Sequence, residues 1–239
     1  MTTSVCRLAM VCALFALQGC GGGGGAATNS NPTVAPPATT NVLAAYTALV
    51  RKPHTYSLSG STSTGVSLTA TLSIAQAAQV SWSTQTYDTA LVTLSVYNGA
   101  TLVGTGVTTS WQATGTPYWD VFFQSSDGSC TLRGGGTALP TSAALGQVGS
   151  FLDGTEYAGC SPSNMPMTYW ISSGTVTQTW AYQAVGGTPF VCINTSVQGF
   201  VGTTTESDCV EIVDTSGTLG SRVRVTTTNL NRVTTTLTN

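Results

Sequence analysis

From Val66 to Ile74 apolar and hydroxyl side chains alternate without a break, with Val66, Leu68, Ala70, Leu72 and Ile74 on one parity and Ser67, Thr69, Thr71 and Ser73 on the other. A period of two belongs to extended chain, whose successive side chains point to opposite faces, so this stretch must be a strand with one buried and one solvated face. Further strands are expected near residues 55–60, 79–86, 89–97, 100–111, 117–124, 168–172, 175–185, 189–194, 208–214, 220–228 and 232–238. Asn98-Gly99 suits a two-residue hairpin turn, and Asp127-Gly128, Ser216-Gly217 and Asn229-Leu230-Asn231 mark other reversals. Short strands in sequence joined by tight turns predict an all-β fold, an antiparallel meander sandwich or partly open barrel with one short N-terminal helix.

That helix is read at 42–50. Asn41 is a good cap, Val42, Leu43, Tyr46, Leu49 and Val50 share a helical face, Arg51 and Lys52 suit the C-terminal end of the dipole, and Pro53 stops propagation. Residues 41–239 are read as one β-rich domain. The stretch 139–167, rich in Pro and Gly turns and poor in periodicity, is the candidate seam if there are two subdomains.

Only 7% of the 239 residues are charged, against a usual value of roughly 25%. Apolar residues reach 41%, which excludes the weakly hydrophobic, highly charged composition of disordered chains. Seven basic side chains against nine acidic ones, with no basic run longer than Arg51-Lys52, leave no stripe to neutralise phosphates, so no nucleic-acid partner is expected.

The amino terminus carries Arg7 followed by an uncharged apolar run, Leu8–Leu17, the length of an export-signal core and short of the roughly 20 residues of a spanning helix. Leu17-Gln18-Gly19-Cys20 resembles the lipobox of bacterial lipoproteins. The resemblance implies that residues 1–19 are a signal peptide, that the Cys20 thiol receives a diacylglyceryl group, that cleavage falls between Gly19 and Cys20, and that the new amino group is acylated. It also implies a membrane partner through the lipid anchor. Gly21, where lipoproteins retained at the inner membrane often carry Asp, points to the outer membrane, facing periplasm or cell surface. Residues 20–40, a Gly run followed by Pro, Thr and Asn without charge, read as a tether. The body is similar to uncharacterised β-rich lipoproteins of Gram-negative bacteria in its Gly run, its Ala44-Ala45-Tyr46 helix and its Thr204–Ile212 segment, a resemblance that carries no activity with it.

If Cys6 and Cys12 leave with the signal and Cys20 is acylated, four of the seven cysteines remain. An even number in an oxidising compartment reads as two disulfides. Pairing of sequence neighbours, Cys130 with Cys160 and Cys192 with Cys209, is the simplest of three connectivities. No Cys-x-x-Cys occurs and His54 is the single histidine, so neither a metal site nor a cofactor is expected.

Candidate chemistry is sparse. His54 follows Pro53 at the helix-to-strand turn and has no Gly-x-Ser-x-Gly partner, so it reads as a turn residue. The carboxylate groupings are Asp153 with Glu156, and Glu206, Asp208, Glu211 and Asp214. Such pairs can serve acid–base catalysis or bind calcium, but Arg222, Arg224 and Arg232 on the following strands suggest cross-strand charge pairing instead. Trp111, Tyr118, Trp119, Tyr169, Trp170, Trp180 and Tyr182 could form a sugar-binding platform. Trp180 and Tyr182 share a parity with Val176, as a core stripe would. The expected function is a non-enzymatic binding or structural module of the envelope, with an envelope protein or glycan as partner and no catalytic residue. The alternatives are a carbohydrate-active or cell-wall enzyme, in which Asp153, Glu156 or Asp120 would converge beside exposed tryptophans, and a surface adhesin.

Overall fold

The computed structural model describes residues 36–82, 84–114, 120–160 and 170–239. The signal segment, Gly19, Cys20 and the tether up to residue 35 lie outside the described residues, as do Tyr118, Trp119 and Tyr169.

In chain order the elements are β1 (Thr39–Thr40), α1 (Val42–Arg51), β2 (His54–Thr62), β3 (Ser67–Trp82), β4 (Gln85–Asn98), β5 (Thr101–Ala113), β6 (Asp120–Ser125) and β7 (Ser129–Gly135). They continue with β8 (Ala143–Ala144), β9 (Val148–Ala158), β10 (Ile171–Val185), β11 (Thr188–Gly199), β12 (Gly202–Ile212), β13 (Leu219–Thr228) and β14 (Thr234–Thr238). Every long strand pairs antiparallel with its neighbour in sequence, and β14 pairs with β2 through Thr235↔Thr62 to Thr238↔Ser59.

The all-β meander with one short helix is therefore as the sequence indicates, but the sheet is neither a sandwich nor partly open. It closes into a twelve-stranded barrel. Sandwich and barrel share the same one-face-buried alternation, so the pattern alone does not separate them. What decides closure here is the single pairing of the first and last long strands, which leaves no sheet edge unpaired. Within 139–167, β9 runs between β7 and β10 of the same barrel.

In β3, Leu68, Ala70, Leu72 and Ile74 are buried inside the barrel while Ser67, Thr69, Thr71 and Ser73 face outward. The apolar face of this wall is thus its inner one, the reverse of strands that cross a bilayer and turn an apolar band to lipid. No helix among the described residues is long and apolar enough to cross a membrane.

Eight strands make an interior that side chains alone can fill, and twelve make a wider one. Large residues take up much of it, including Phe123, Phe151, Trp180 and Tyr182. The remaining breadth is closed at one mouth by α1. Asn41 caps this helix, its side chain accepting from the Ala44 N–H at 2.9 Å, and Val42, Ala45, Tyr46 and Val50 form its buried face. The helix packs against β3, β11 and β13, strands spread around the circumference, and Tyr46 meets Phe151 of β9 edge-on at 5.4 Å. It therefore spans the mouth at which β2, β4, β11 and β13 begin.

Several contacts hold it there. Arg51 pairs with Asp88 at 3.0 Å, Gln76 donates to the Val50 carbonyl, and the Asn41 N–H donates to Thr215 O in the β12–β13 turn. The chain leading into α1 is held too, by the β1–β8 ladder and by the Tyr182 hydroxyl, which donates to Pro37 O at 2.6 Å.

Both disulfides follow the sequence-neighbour pairing, Cys130–Cys160 and Cys192–Cys209. The second joins directly opposed residues of β11 and β12, and the first ties β7 to the segment that follows β9.

Candidate functional site

On β12 the inward parity runs Thr204, Glu206, Asp208, Val210 and Ile212, so this strand sends two carboxylates into the barrel. Asp208 stands opposite Ile193 of β11 and Val225 of β13, while Glu206 stands opposite Thr195 and Thr227. On β10 the stripe of Val176, Trp180 and Tyr182 also contains Gln178, whose Nε2 donates to Thr195 Oγ1 at 3.1 Å. β5 adds Thr108 and Ser110 to the same interior.

Beneath α1 these groups border a cavity of about 80 Å³. Its roof is Tyr46, Leu49 and Val50 of the helix, its walls are mainly aliphatic, from Ile74, Val92 and Ile193 among others, and its polar lining comes from Thr108 and Ser110 of β5 and from Gln178 of β10 and Asp208 of β12. The Asp208 residue retains some accessible surface, but its Oδ1 is sealed. Two acceptors among the described residues lack a hydrogen-bond partner here: Asp208 Oδ1 and Gln178 Oε1.

Burial pushes the Asp208 carboxyl up to about 6, against a partial offset from its side-chain hydrogen bond with Glu206. A hydrogen bond between two carboxyl groups needs one proton between them, so the pair holds a proton inside the barrel whenever that bond is made. Neither Lys, Arg nor His borders the cavity among the described residues.

The expected cross-strand charge pairing does not account for these acids. Arg224 lies opposite Cys209 on the outer parity and Arg222 is exposed, so neither guanidinium can reach the inward carboxylates of Glu206 and Asp208. Glu211, on the outer side, accepts instead from the backbone N–H groups of Ser221 and Arg222, both at 3.0 Å, beside the register shift between Val210 and Ile212. Arg232 sits in the β13–β14 turn with φ 59°.

The remaining candidates are dispersed. Asp214 organises the β12–β13 turn: its Oδ1 accepts from the Ser216 and Thr218 N–H groups at 2.9 and 3.1 Å, and its carboxyl is pulled down to about 2, chiefly by the Ser216 hydrogen bond and then by Thr218. His54 Nε2 donates to Ala48 O at 3.1 Å and its ring stacks on Tyr56, which makes it a fastening of α1 to β2. Asp153 faces solvent while Glu156 is buried inside opposite Thr131, so these two do not converge. The Asp120 side chain lies outside the described residues.

Among the described residues, the candidate aromatics fall into two packed groups. Trp180 and Tyr182 are in the barrel core. Trp111, 4% exposed, and Trp170, 8% exposed, pack outside the wall around Phe122, at 4.8 and 5.7 Å between centroids, in a second cluster with the Cys130–Cys160 disulfide. Neither group presents a pair of open ring faces. Among the described residues no group of three or more His, Cys, Asp and Glu side chains is placed to hold a metal ion.

Comparison with protein-family models, with characterised proteins and with solved structures finds no match to this chain.

Proposed function

We propose that this chain is a lipid-anchored envelope protein whose barrel is a binding module: Cys20 carries the anchor, and the cavity under α1 takes a small ligand without turning it over. The observation that carries the binding reading is the cavity beneath α1 inside a closed wall, lined mainly by aliphatic side chains with Thr108, Ser110, Gln178 and Asp208 as its polar residues. Ligand sites in barrels have this form, an apolar lining with a few polar groups that fix orientation. The anchor reading rests on the lipobox Leu17-Gln18-Gly19-Cys20.

Two measurements test the reading. Metabolic labelling with a radioactive fatty acid should mark the wild type and not Cys20→Ser; label on the variant would sink the anchor. Native mass spectrometry of the full chain, gently extracted from its own membrane, should show a small-molecule adduct that denaturation removes. If the chain is bare and no small molecule raises its melting temperature, the binding reading fails.

A further inference from the structure

We propose that the mouth of the barrel opposite α1 is a lipid-contacting tip: Phe200 and Val201, with Ile171 and Leu230 beside them, enter the headgroup and upper acyl region of a phospholipid bilayer. This goes beyond the cavity and rests only on the anchor half of the reading above.

Strand direction places these residues together. β11 starts at the α1 mouth and ends at Gly199, so the Phe200-Val201 turn into β12 lies at the other end. β13 runs the same way and leads into the turn that holds Leu230. The two turns are neighbours, since a Cβ added to Gly202 would meet Leu230 Cδ2 at 3.3 Å. β10 starts at this mouth with Ile171, just ahead of Gly174, which stands opposite Gly199. Phe200 is 90% exposed, Ile171 70%, Val201 67% and Leu230 39%.

Local folding does not ask for Phe200 and Val201. A two-residue hairpin connection favours Asn, Asp or Gly. Other turns of this mouth follow that rule, with Thr64-Gly65, Gly99-Ala100, Asp127-Gly128 and Asn229. In the β11–β12 turn the positive φ falls on Gly202, at 136°, and neither projecting residue needs it. Two bulky apolar side chains thus stand in water at a place where polar ones would serve the turn as well.

Charge separates the two ends of the barrel. Around the α1 mouth stand Arg51, Lys52, Asp88, Glu211, Asp214 and Arg222. The turns of the opposite mouth carry only Asp127 and Arg232. Arg232 shares its turn with Leu230, whereas Asp127 lies two turns further round the rim from Phe200. The headgroup region strips water from whatever enters it, so an end with few ions and projecting apolar side chains enters at least cost. A cation at its edge suits lipid phosphates. The four side chains expose roughly 450 Å², about half of what each partner in a stable protein complex buries. A fluid bilayer accepts projecting tips without a complementary surface.

The tether permits this orientation. The described chain begins beside the α1 mouth, where Pro37 O accepts from the Tyr182 hydroxyl. β11, 12 residues long and inclined as barrel strands are, takes up roughly 30 Å of the barrel's height. Residues 20–36 span at most roughly 55 Å, so a lipid on Cys20 can sit in the leaflet that Phe200 enters.

The test reconstitutes the full chain, extracted from its own membrane, into vesicles of phosphatidylethanolamine and phosphatidylglycerol. A nitroxide is placed on Asn231→Cys or, at the α1 mouth, on Lys52→Cys, both exposed positions. By EPR power saturation the ratio of oxygen to nickel-chelate accessibility should be about tenfold higher at Asn231→Cys than at Lys52→Cys, as for a site a few ångströms into the bilayer. Phe200→Ser combined with Val201→Ser removes no core contact and should leave circular dichroism and melting temperature unchanged while returning the Asn231→Cys ratio to that of Lys52→Cys. Equal ratios at the two mouths in the otherwise unaltered chain overturn the proposal. So does an Asn231→Cys site shielded from both reagents, which would mark a protein and not lipid over the tip. Either failure in a chain that carries fatty-acid label leaves the anchor standing, and an oxygen-rich Asn231→Cys site in a chain without that label removes the anchor and keeps the tip.

Discussion

Burial of Asp208 should make the stability of the barrel depend on pH. Its carboxyl is raised from 3.8 to about 6, and burial is the main cause. A raised carboxyl means that the folded chain holds one more proton than the unfolded chain between about pH 4 and pH 6. Stability therefore falls as pH rises through that window and levels off above it. The span of roughly two units corresponds to about 3 kcal/mol at pH 7.5, present as a cost of keeping the charge inside. Asn has nearly the same shape and no charge to bury. Asp208→Asn should thus gain up to about 3 kcal/mol over wild type at pH 7.5, which in a domain of this size is roughly 6–12 °C in melting temperature.

The assay is urea unfolding of both proteins at half-unit steps from pH 4 to pH 8, without added ligand. The difference between them is the informative quantity, because acids that do not touch Asp208 contribute alike to both, while Glu206, hydrogen-bonded to it, belongs to the difference. It should be near zero at pH 4, open between pH 4 and pH 6.5, and stay constant above. A difference that is flat over the whole range, or an Asp208→Asn protein less stable at pH 7.5, would refute the claim that this carboxylate is ionised inside the barrel against a desolvation cost.

Gly217→Ala should destabilise by about 2 kcal/mol or more in thermal unfolding, since Gly217 has φ +87° and an added Cβ would press on the backbone of α1, 2.9 Å from Ala45 N. Gly60→Ala should cost roughly 3 kcal/mol and raise amide exchange across β2 and β14, because the new methyl would run into the Thr236 carbonyl at the seam that closes the barrel. Replacing Cys192 and Cys209 together by Ala should lower denaturant stability by about 3 kcal/mol, the loop-entropy value for a separation of 17 residues.

Much of the wall is legible because its chemistry alternates. Hydroxyl against aliphatic residues in β3, Asn98-Gly99 between β4 and β5, and Asn41 before α1 each act locally, and each element forms where those signals stand. β7 and β9 escape the same reading for a physical reason. Their inward positions include Thr131, Gly154 and Glu156, small or polar residues at places where the pattern needs apolar ones. Gly154 is inward because it has no side chain to place: a Cβ there would lie 2.9 Å from Leu132 O and from a Thr131 methyl. Periodicity fails where the interior is shared between bulky residues on one wall and small ones on the opposite wall. That arrangement is a property of the closed barrel and not of any one strand.

The same reasoning explains why the acids of β12 are easily misread. Glu206 and Asp208 alternate with Ser207 and Cys209, and on the rule that charged residues face water the strand would be turned inside out, with the acids toward Arg222 and Arg224. Val210 and Ile212, on the same parity as Asp208, hold the opposite orientation, and burying two branched aliphatics and Thr204 outweighs exposing two carboxylates. The strand therefore settles in the register that buries the acids, and the cost reappears as a displaced Asp208 carboxyl whose Oδ1 has no hydrogen-bond partner. Parity within β12 was available from the sequence. What it could not supply was the company: Gln178, Thr108 and Ser110 come from β10 and β5, and only closure of the wall sets them around the same space as Asp208.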